Sequence, residues 1–226
     1  MLRAVDIASH QAGISIADLD CDIVIIKVTG GTSYVNGYPN EDEDWWRIWA
    51  DETLAAGKKL AFYHYAAEYG IFNDVPDEAR FFLDHVSDYK GKFVPILDFE
   101  AEAQSLPVAW PKEWLEIVEA ETGATPFFYG YANHLNSRDY SEISRFPLWM
   151  ASYLYRYYYA GWVDDPQNIW PTGSWDGMAM YQYTSTGQID GYGGDLDLSV
   201  FYGNSGDWDA LIEDDLDPEE IWNYVL

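Results

Sequence analysis

Apolar residues along this chain fall into short runs separated by segments of helical period. AVDIAS (4–9) reads as a strand, and DIVIIKVT (22–29) is an almost continuous apolar run, as expected for a strand covered on both faces. KLAFYHYA (59–66), KFVPILDFE (92–100), TPFFYGYA (125–132), PLWMASY (147–153) and MAMYQYTS (178–185) read as further strands, with DLDLSVF (195–201) as a short last one. Pro95 lacks a ladder donor, which predicts a bulge or an edge position. Three helices are predicted between the early strands. Residues 42–56 begin acidic and stop at Gly57, residues 75–89 carry Pro76 and Asp77 near their start, and residues 111–122 end at Gly123.

Strand, helix, strand at intervals of roughly 30 residues is the signature of a parallel sheet with crossover helices. The helical pattern fades after residue 125, where strands are joined by Gly-, Pro- and aromatic-rich loops. A closed barrel with incomplete helical cladding fits this α/β pattern, and an open doubly wound sheet is the alternative. No G-x-G-x-x-G or Walker loop occurs, so nucleotide binding by those devices is not expected. Residues 1–204 are expected to form one domain. Residues 205–226 lie beyond the last strand and read as an acidic tail or the start of a linker or helix. Within them Asp217-Pro218-Glu219-Glu220 is a good helix start.

Composition narrows the function. With 226 residues and 48% hydrophobic content, the chain has ample material for a core, which excludes global disorder. A net charge of −27 repels nucleic acid and anionic lipid, so neither is expected as a partner. No Lys or Arg follows Arg156, and this acidic stretch reads as a solvated surface. No apolar run approaches the length of a membrane span, so no membrane insertion is expected. The opening MLRAVDIASHQ lacks the apolar region of a signal peptide. A lone Cys21 excludes an internal disulfide framework, and the four histidines show no H-x-H or H-E-x-x-H spacing, so neither a metal nor another cofactor is expected. Aromatic residues make up 18% of the chain; many must fill the core, and a domain this rich in Trp and Tyr often presents some in a groove, where flat rings suit stacking on sugars.

The candidate chemistry lies in carboxylates. Asp98 and Glu100 in ILDFEAE sit two apart at the C-terminal end of a strand, on one face and about 6.6 Å apart along the backbone at roughly 3.3 Å per residue. Active sites of β/α barrels form at those strand ends. Two carboxylates confined in a pocket repel each other, which raises the pKa of one and supplies an acid near neutral pH. Glycosidic bonds are cleaved by such pairs. Asp6, flanked by Val5 and Ile7 near the end of the first strand, is a carboxylate that a buried strand does not hold without a partner. His64 alternates away from its neighbour Tyr63 and reads as structural. His10 and Gln11 either orient Asp6 or cap a turn.

The runs AVDIASHQ, IVIIKVTGGTSYVN, LAFYHYA, PILDFE, LWMASY and MYQYTSTGQIDGYGGDLDLSVF, in this order, resemble the glycoside hydrolase family 25 lysozymes, the Chalaropsis-type N-acetylmuramidases of bacteria and their phages. The resemblance spans residues 4 to 202. It implies an irregular TIM-like β/α barrel whose late strands lack regular helices. It also implies hydrolysis of the β-1,4 bond between N-acetylmuramic acid and N-acetylglucosamine, with bacterial peptidoglycan as partner. By the same resemblance Glu100 is the proton donor, Asp98 its partner carboxylate, and Asp6 and Asp197 further acids at the groove rim. Asp197, not Asp195, is the inward member of the D-L-D motif. Tyr63, Tyr131, Trp149, Tyr153 and Gln182 are expected to bind substrate.

A phage or prophage endolysin domain, monomeric, made in the host cytoplasm and acting on the wall after release by phage lysis or secreted by a non-classical route, fits this set. A non-catalytic sugar-binding barrel and a chitin-type glycosidase are the alternatives. One departure stands out. Family members commonly carry glutamate in a K-A-T-E-G stretch, where this chain has Lys27-Val28-Thr29-Gly30-Gly31.

Overall fold

A computed structural model of the chain describes residues 1–39 and 45–212. The beginning of the expected 42–56 helix and the helix start at 217–220 lie outside the described residues. Ten strands run in chain order: β1 (Leu2–Ile7), β2 (Ile23–Gly30), β3 (Tyr34–Val35), β4 (Tyr38–Pro39), β5 (Lys59–Tyr65), β6 (Val94–Asp98), β7 (Phe127–Tyr131), β8 (Leu148–Ala151), β9 (Met180–Gly187) and β10 (Leu196–Phe201). The order around the sheet is β1-β10-β9-β8-β7-β6-β5-β2, and pairing of β1 with β2 closes it into an eight-stranded barrel. The open doubly wound alternative is therefore excluded. The eight expected strands are the eight barrel strands.

Pairing is parallel from β1 through β2, β5, β6, β7 and β8 to β9, while β10 runs antiparallel to both β9 and β1. The β1–β2 crossover carries only two short 3-10 turns, and the next three crossovers are helical, through α1 (Trp45–Ala55), α2 (Val75–Val86) and α3 (Ala109–Thr122). After α3, β7 is followed by the single-turn α4 (Ala132–Leu135), β8 leads to β9 through a long loop, and β9 turns back directly into β10. This is the incomplete cladding expected from the sequence. Gly123 caps α3 in the left-handed conformation at φ 75°. The β3–β4 hairpin extends the C-terminal end of β2, and its two-residue Asn36-Gly37 loop has φ of 50° and 87°, as a type I′ turn requires.

Alternation along each strand sorts side chains into two cores. Inward residues at the bottom of the barrel are apolar, including Ala4, Ile23, Ile25, Ala61, Val94, Ile96 and Phe127. Outward residues such as Val24, Ile26, Phe62, Leu97 and Phe128 pack with the helical layer and with Trp46, Trp49, Phe82 and Trp114. Continuing the inward rows toward the C-terminal ends reaches Asp6, Lys27, Tyr63, Asp98, Tyr129 and Gln182. The barrel is thus filled at one end and polar at the other.

Pro95 departs from its expectation. It lies in an interior strand with no shift of register, where it pairs with Phe62 of β5, and pairing of β6 with β7 begins one residue later at Ile96. Its missing N–H therefore falls before the second ladder starts. Residues 205–212 belong to the packed fold. Asn204 caps α5 (Ser205–Ala210) by accepting from the Gly206 and Asp207 N–H groups. Trp208 of α5 is fully buried against Phe127 and Phe201 at the bottom of the barrel, with ring centroids 6.2 and 5.2 Å away. Thr125 N–H donates to the Leu211 carbonyl at 2.8 Å, which ties the same segment to the start of β7.

Candidate active site

At the C-terminal ends of the parallel strands a cavity of about 490 Å³ opens, within the range of roughly 300–1,000 Å³ typical of small-ligand sites. Asp6, Asp98, Glu100, Asp197, Tyr63, Tyr131, Trp149, Tyr153 and Gln182 all line it. Topology makes this convergence. Asp6 lies one residue before the end of β1 and stands directly opposite Asp197 across the antiparallel β1–β10 pair. Asp98 ends β6 beside Tyr65 of β5 and Tyr129 of β7. The chain stays extended through Glu100, at φ −134° and ψ −174°, so Glu100 follows Asp98 onto the same face. Ala101, at φ 44°, then turns the backbone away.

A hydrogen-bonded chain fixes one wall. Gln182 Nε2 donates to Asp6 Oδ2 at 2.9 Å, and its Oε1 accepts from the Tyr129 and Tyr153 hydroxyls at 2.8 and 2.6 Å. The three contacts together determine which way the amide points. The Tyr131 and Tyr153 hydroxyls share a hydrogen bond of 3.2 Å. Trp149 is 2% exposed and donates to Ser199 Oγ at 3.1 Å, so only an edge of its indole reaches the cavity. Tyr63, Tyr131 and Tyr153 are half-buried and present their rings to the opening.

Burial is the main electrostatic force here. It pushes the Asp98 carboxyl well above the usual carboxylate range; the negative charge of Glu100 adds to this, and Lys27 opposes it. Glu100 is also raised, first by burial, while a Tyr65 hydrogen bond and Lys27 favour its charged form. Asp6 is raised well above its ordinary value by burial and then by Asp197. Asp197 is pushed up to about 7 by burial and then by the Glu100 charge. Four acids that cannot all ionise together hold protons toward neutral pH. Asp98 Oδ1 is buried and accepts no hydrogen bond within the described residues.

The duller candidates also find places. His64 points outward, between Thr29 Oγ1 and Glu78 Oε2, each 2.9 Å from a ring nitrogen, and is structural. Gln11 caps the turn after β1, its Oε1 accepting from Ala8 N–H at 2.9 Å, while His10 lines the cavity mouth. Asp195 is exposed. Among the described residues, no group of three or more His, Cys, Asp or Glu is placed to hold a metal.

Lining residues outside the expected site set include Lys27, Tyr65, Glu68, Tyr69 and Tyr129. Lys27 had a visible signal, being a lysine inside the apolar run IVIIKVT, where a buried cation needs an anion. Tyr129 shares a face with Tyr131 by simple alternation. Glu68 had no motif to mark it. Its carboxylate fills the space beside Gly30, the position where the family pattern puts its own glutamate.

A closed β/α barrel with paired carboxylates at its C-terminal strand ends is an architecture of sugar-cleaving enzymes. The family model for glycosyl hydrolases family 25 matches residues 5–192. The chain belongs to that family. It is 31% identical over 191 residues to a lysozyme of Streptococcus phage Cp-7, covering 80% of this chain and 50% of the relative. It is 28% identical over 193 residues to the uncharacterized protein YegX of Escherichia coli K12, covering 83% of this chain and 62% of the relative. The chain thus spans between half and two thirds of those relatives' lengths. The crystal structure of a lysozyme from Streptomyces coelicolor superimposes with a TM-score of 0.74 at 19% identity, covering 95% of this chain and 98% of that one. That likeness is one of fold.

Proposed function

We propose that this chain is a peptidoglycan hydrolase, a muramidase that cleaves the β-1,4 bond between N-acetylmuramic acid and N-acetylglucosamine. The observation that carries the reading is the Asp98–Glu100 pair, two carboxyls raised by burial on one face of a strand end in a tyrosine-walled groove. Membership of a glycosidase family and likeness to a phage lysozyme support it.

In this mechanism Glu100 is the general acid. Its proton passes to the glycosidic oxygen as the bond from that oxygen to the anomeric carbon breaks. The carbonyl oxygen of the 2-acetamido group forms a new bond to the same carbon from the opposite face. With the proton of the pair on Glu100, Asp98 is ionised, and its buried Oδ1, without a hydrogen-bond partner among the described residues, accepts the acetamido N–H and stabilises the positive charge that develops there. Glu100, now ionised, takes a proton from an incoming water, whose oxygen attacks the anomeric carbon as the bond from the acetamido oxygen to that carbon breaks. Two displacements retain the anomeric configuration, a substrate-assisted variant of the two-carboxylate schemes. Asp6, held by Gln182, and Asp197 accept sugar hydroxyls at the rim, while Tyr63, Tyr131 and Tyr153 stack on the chain. No metal or organic cofactor takes part. The groove acts at the cell wall, as a lytic domain of the endolysin type.

The Glu100→Gln variant tests the roles. It keeps the groove's shape and loses the proton. Turnover of purified peptidoglycan falls by about 10²–10⁴-fold while pull-down of glycan by the variant persists. A variant that digests at the parental rate removes Glu100 from the mechanism, while a parent that binds glycan and releases no new sugar ends leaves the sugar-binding barrel as the better reading.

A further inference from the structure

Gly30 ends β2 at the lip of the groove, where a Cβ would lie 1.7 Å from Glu68 Oε2 and 2.7 Å from Glu68 Cδ. Only glycine leaves this space open, and Glu68 takes it. The side chain is delivered by an unusual stretch of backbone. Ala67 and Tyr69, on either side of Glu68, both lie in the left-handed region, at φ 50° and 55°. Ala67 N–H donates to Glu78 Oε2 at 3.2 Å, and the same oxygen is held by His64. Asn73 Nδ2 donates to Glu78 Oε1 at 3.2 Å. This buried network behind the barrel wall pins the turn that aims Glu68 inward. Backbone held in sparsely populated regions persists only where its surroundings enforce it, and it concentrates at working sites.

Glu68 Oε1 accepts from Lys27 Nζ at 2.8 Å, with both side chains 9% exposed. The ammonium also sits 4.6 Å from the centre of the Tyr65 ring. Lys27 is the one Lys or Arg among the described residues that line the groove. The titratable groups that line the groove with the Asp98–Glu100 pair come from every side: Asp6 from β1, Asp197 from β10, Tyr63 and Tyr65 from β5, Tyr129 and Tyr131 from β7, Tyr153 after β8, and Tyr69 and His10 in loops. Without an anion of its own, the lysine would turn to the two carboxyls that do the chemistry.

We propose that Glu68 is a positioning residue for hydrolysis: seated in the space left by Gly30, its carboxylate holds the Lys27 ammonium off the Asp98–Glu100 pair, so that Glu100 retains the proton it donates. The proposal rests on the reading of Glu100 as the general acid. The electrostatics agree in sign. Lys27 lowers both Asp98 and Glu100, and Glu68 raises Asp98. The double-positive-φ turn, the glycine and the buried ion pair are then parts of one device that sets the charge of the groove floor.

The test is the pH dependence of kcat/KM on purified peptidoglycan for the parent, Glu68→Gln, and Lys27→Met combined with Glu68→Gln. Glu68→Gln moves the basic limb toward acid by about one pH unit, a loss of about tenfold above the limb, with little change below it and little change in KM. The double variant, with neither charge, returns the limb to its parental position. Titration of the Glu100 carboxyl followed by ¹³C NMR shows the same displacement and needs no turnover, so it tests the proposal even if peptidoglycan is not the substrate. An equal loss of rate at every pH in Glu68→Gln, an unmoved Glu100 titration, or a limb that stays displaced in the double variant overturns it. A parent that releases no sugar ends at any pH overturns the hydrolase reading instead.

Discussion

Asp6 and Asp197 face one another across two strands, and burial favours the neutral form of each. The consequence for stability has a definite sign. An acid whose pKa is raised in the folded state keeps its proton where the unfolded chain has lost it, so its contribution falls as pH rises between the two values. For Asp197 that window runs from its ordinary 3.8 to about 7. Asp197→Asn removes the penalty. The variant gains several degrees in Tm at pH 8, at about 2–4 °C per kcal/mol for a chain of this length, and gains nothing at pH 3.5. Thermal melts at the two pH values check this, and an equal gain at both would show that packing, not charge, is relieved. Asp6, Asp98 and Glu100 were legible in the sequence because a carboxylate in or at the end of an apolar strand needs a reason. Asp197 was singled out by motif alone. Glu68 was not legible, because its place depends on two left-handed residues and a glycine 38 positions earlier, and no local pattern announces such a meeting.

The strands were legible as elements because each is a short apolar run with turn residues at its ends, and the barrel uses all eight. Closure was left open by the sequence, since an open sheet and a barrel share the same repeat. What decides it is the β9–β10 return, which places β10 beside β1. The packed chain continues past residue 204 for a reason the sequence pattern does not display. Trp208 lies in GDWDA, an acidic and polar setting with no hydrophobic period, so its burial comes from tertiary packing. This small element plugs the barrel at the end opposite the groove. Trp208→Ala costs about 3–5 kcal/mol by opening a cavity between Phe127 and Phe201. Denaturant unfolding measures that loss, and the rate constants of the surviving folded enzyme stay near those of the parent. A variant of parental stability would mean that α5 merely rests on the barrel.

At the scale of the whole molecule, one end of the barrel is packed with apolar side chains and the other concentrates acids around a single lysine. The net charge of −27 makes the chain as a whole strongly acidic. Such a molecule is kept from anionic polymers at low ionic strength, an effect confined to roughly 10 Å at 0.1 M salt. Within the groove, aromatic faces and hydrogen bonds to neutral sugars suit it better than charge attraction does. The proposed function is cleavage of a glycan chain at one kind of bond with Glu100 as the general acid. The most direct test digests purified peptidoglycan, reduces the new ends with borohydride and identifies them by mass spectrometry. The account predicts muramitol ends from the parent enzyme and none from Glu100→Gln. Glucosaminitol ends, or muramitol ends from both proteins, would contradict it.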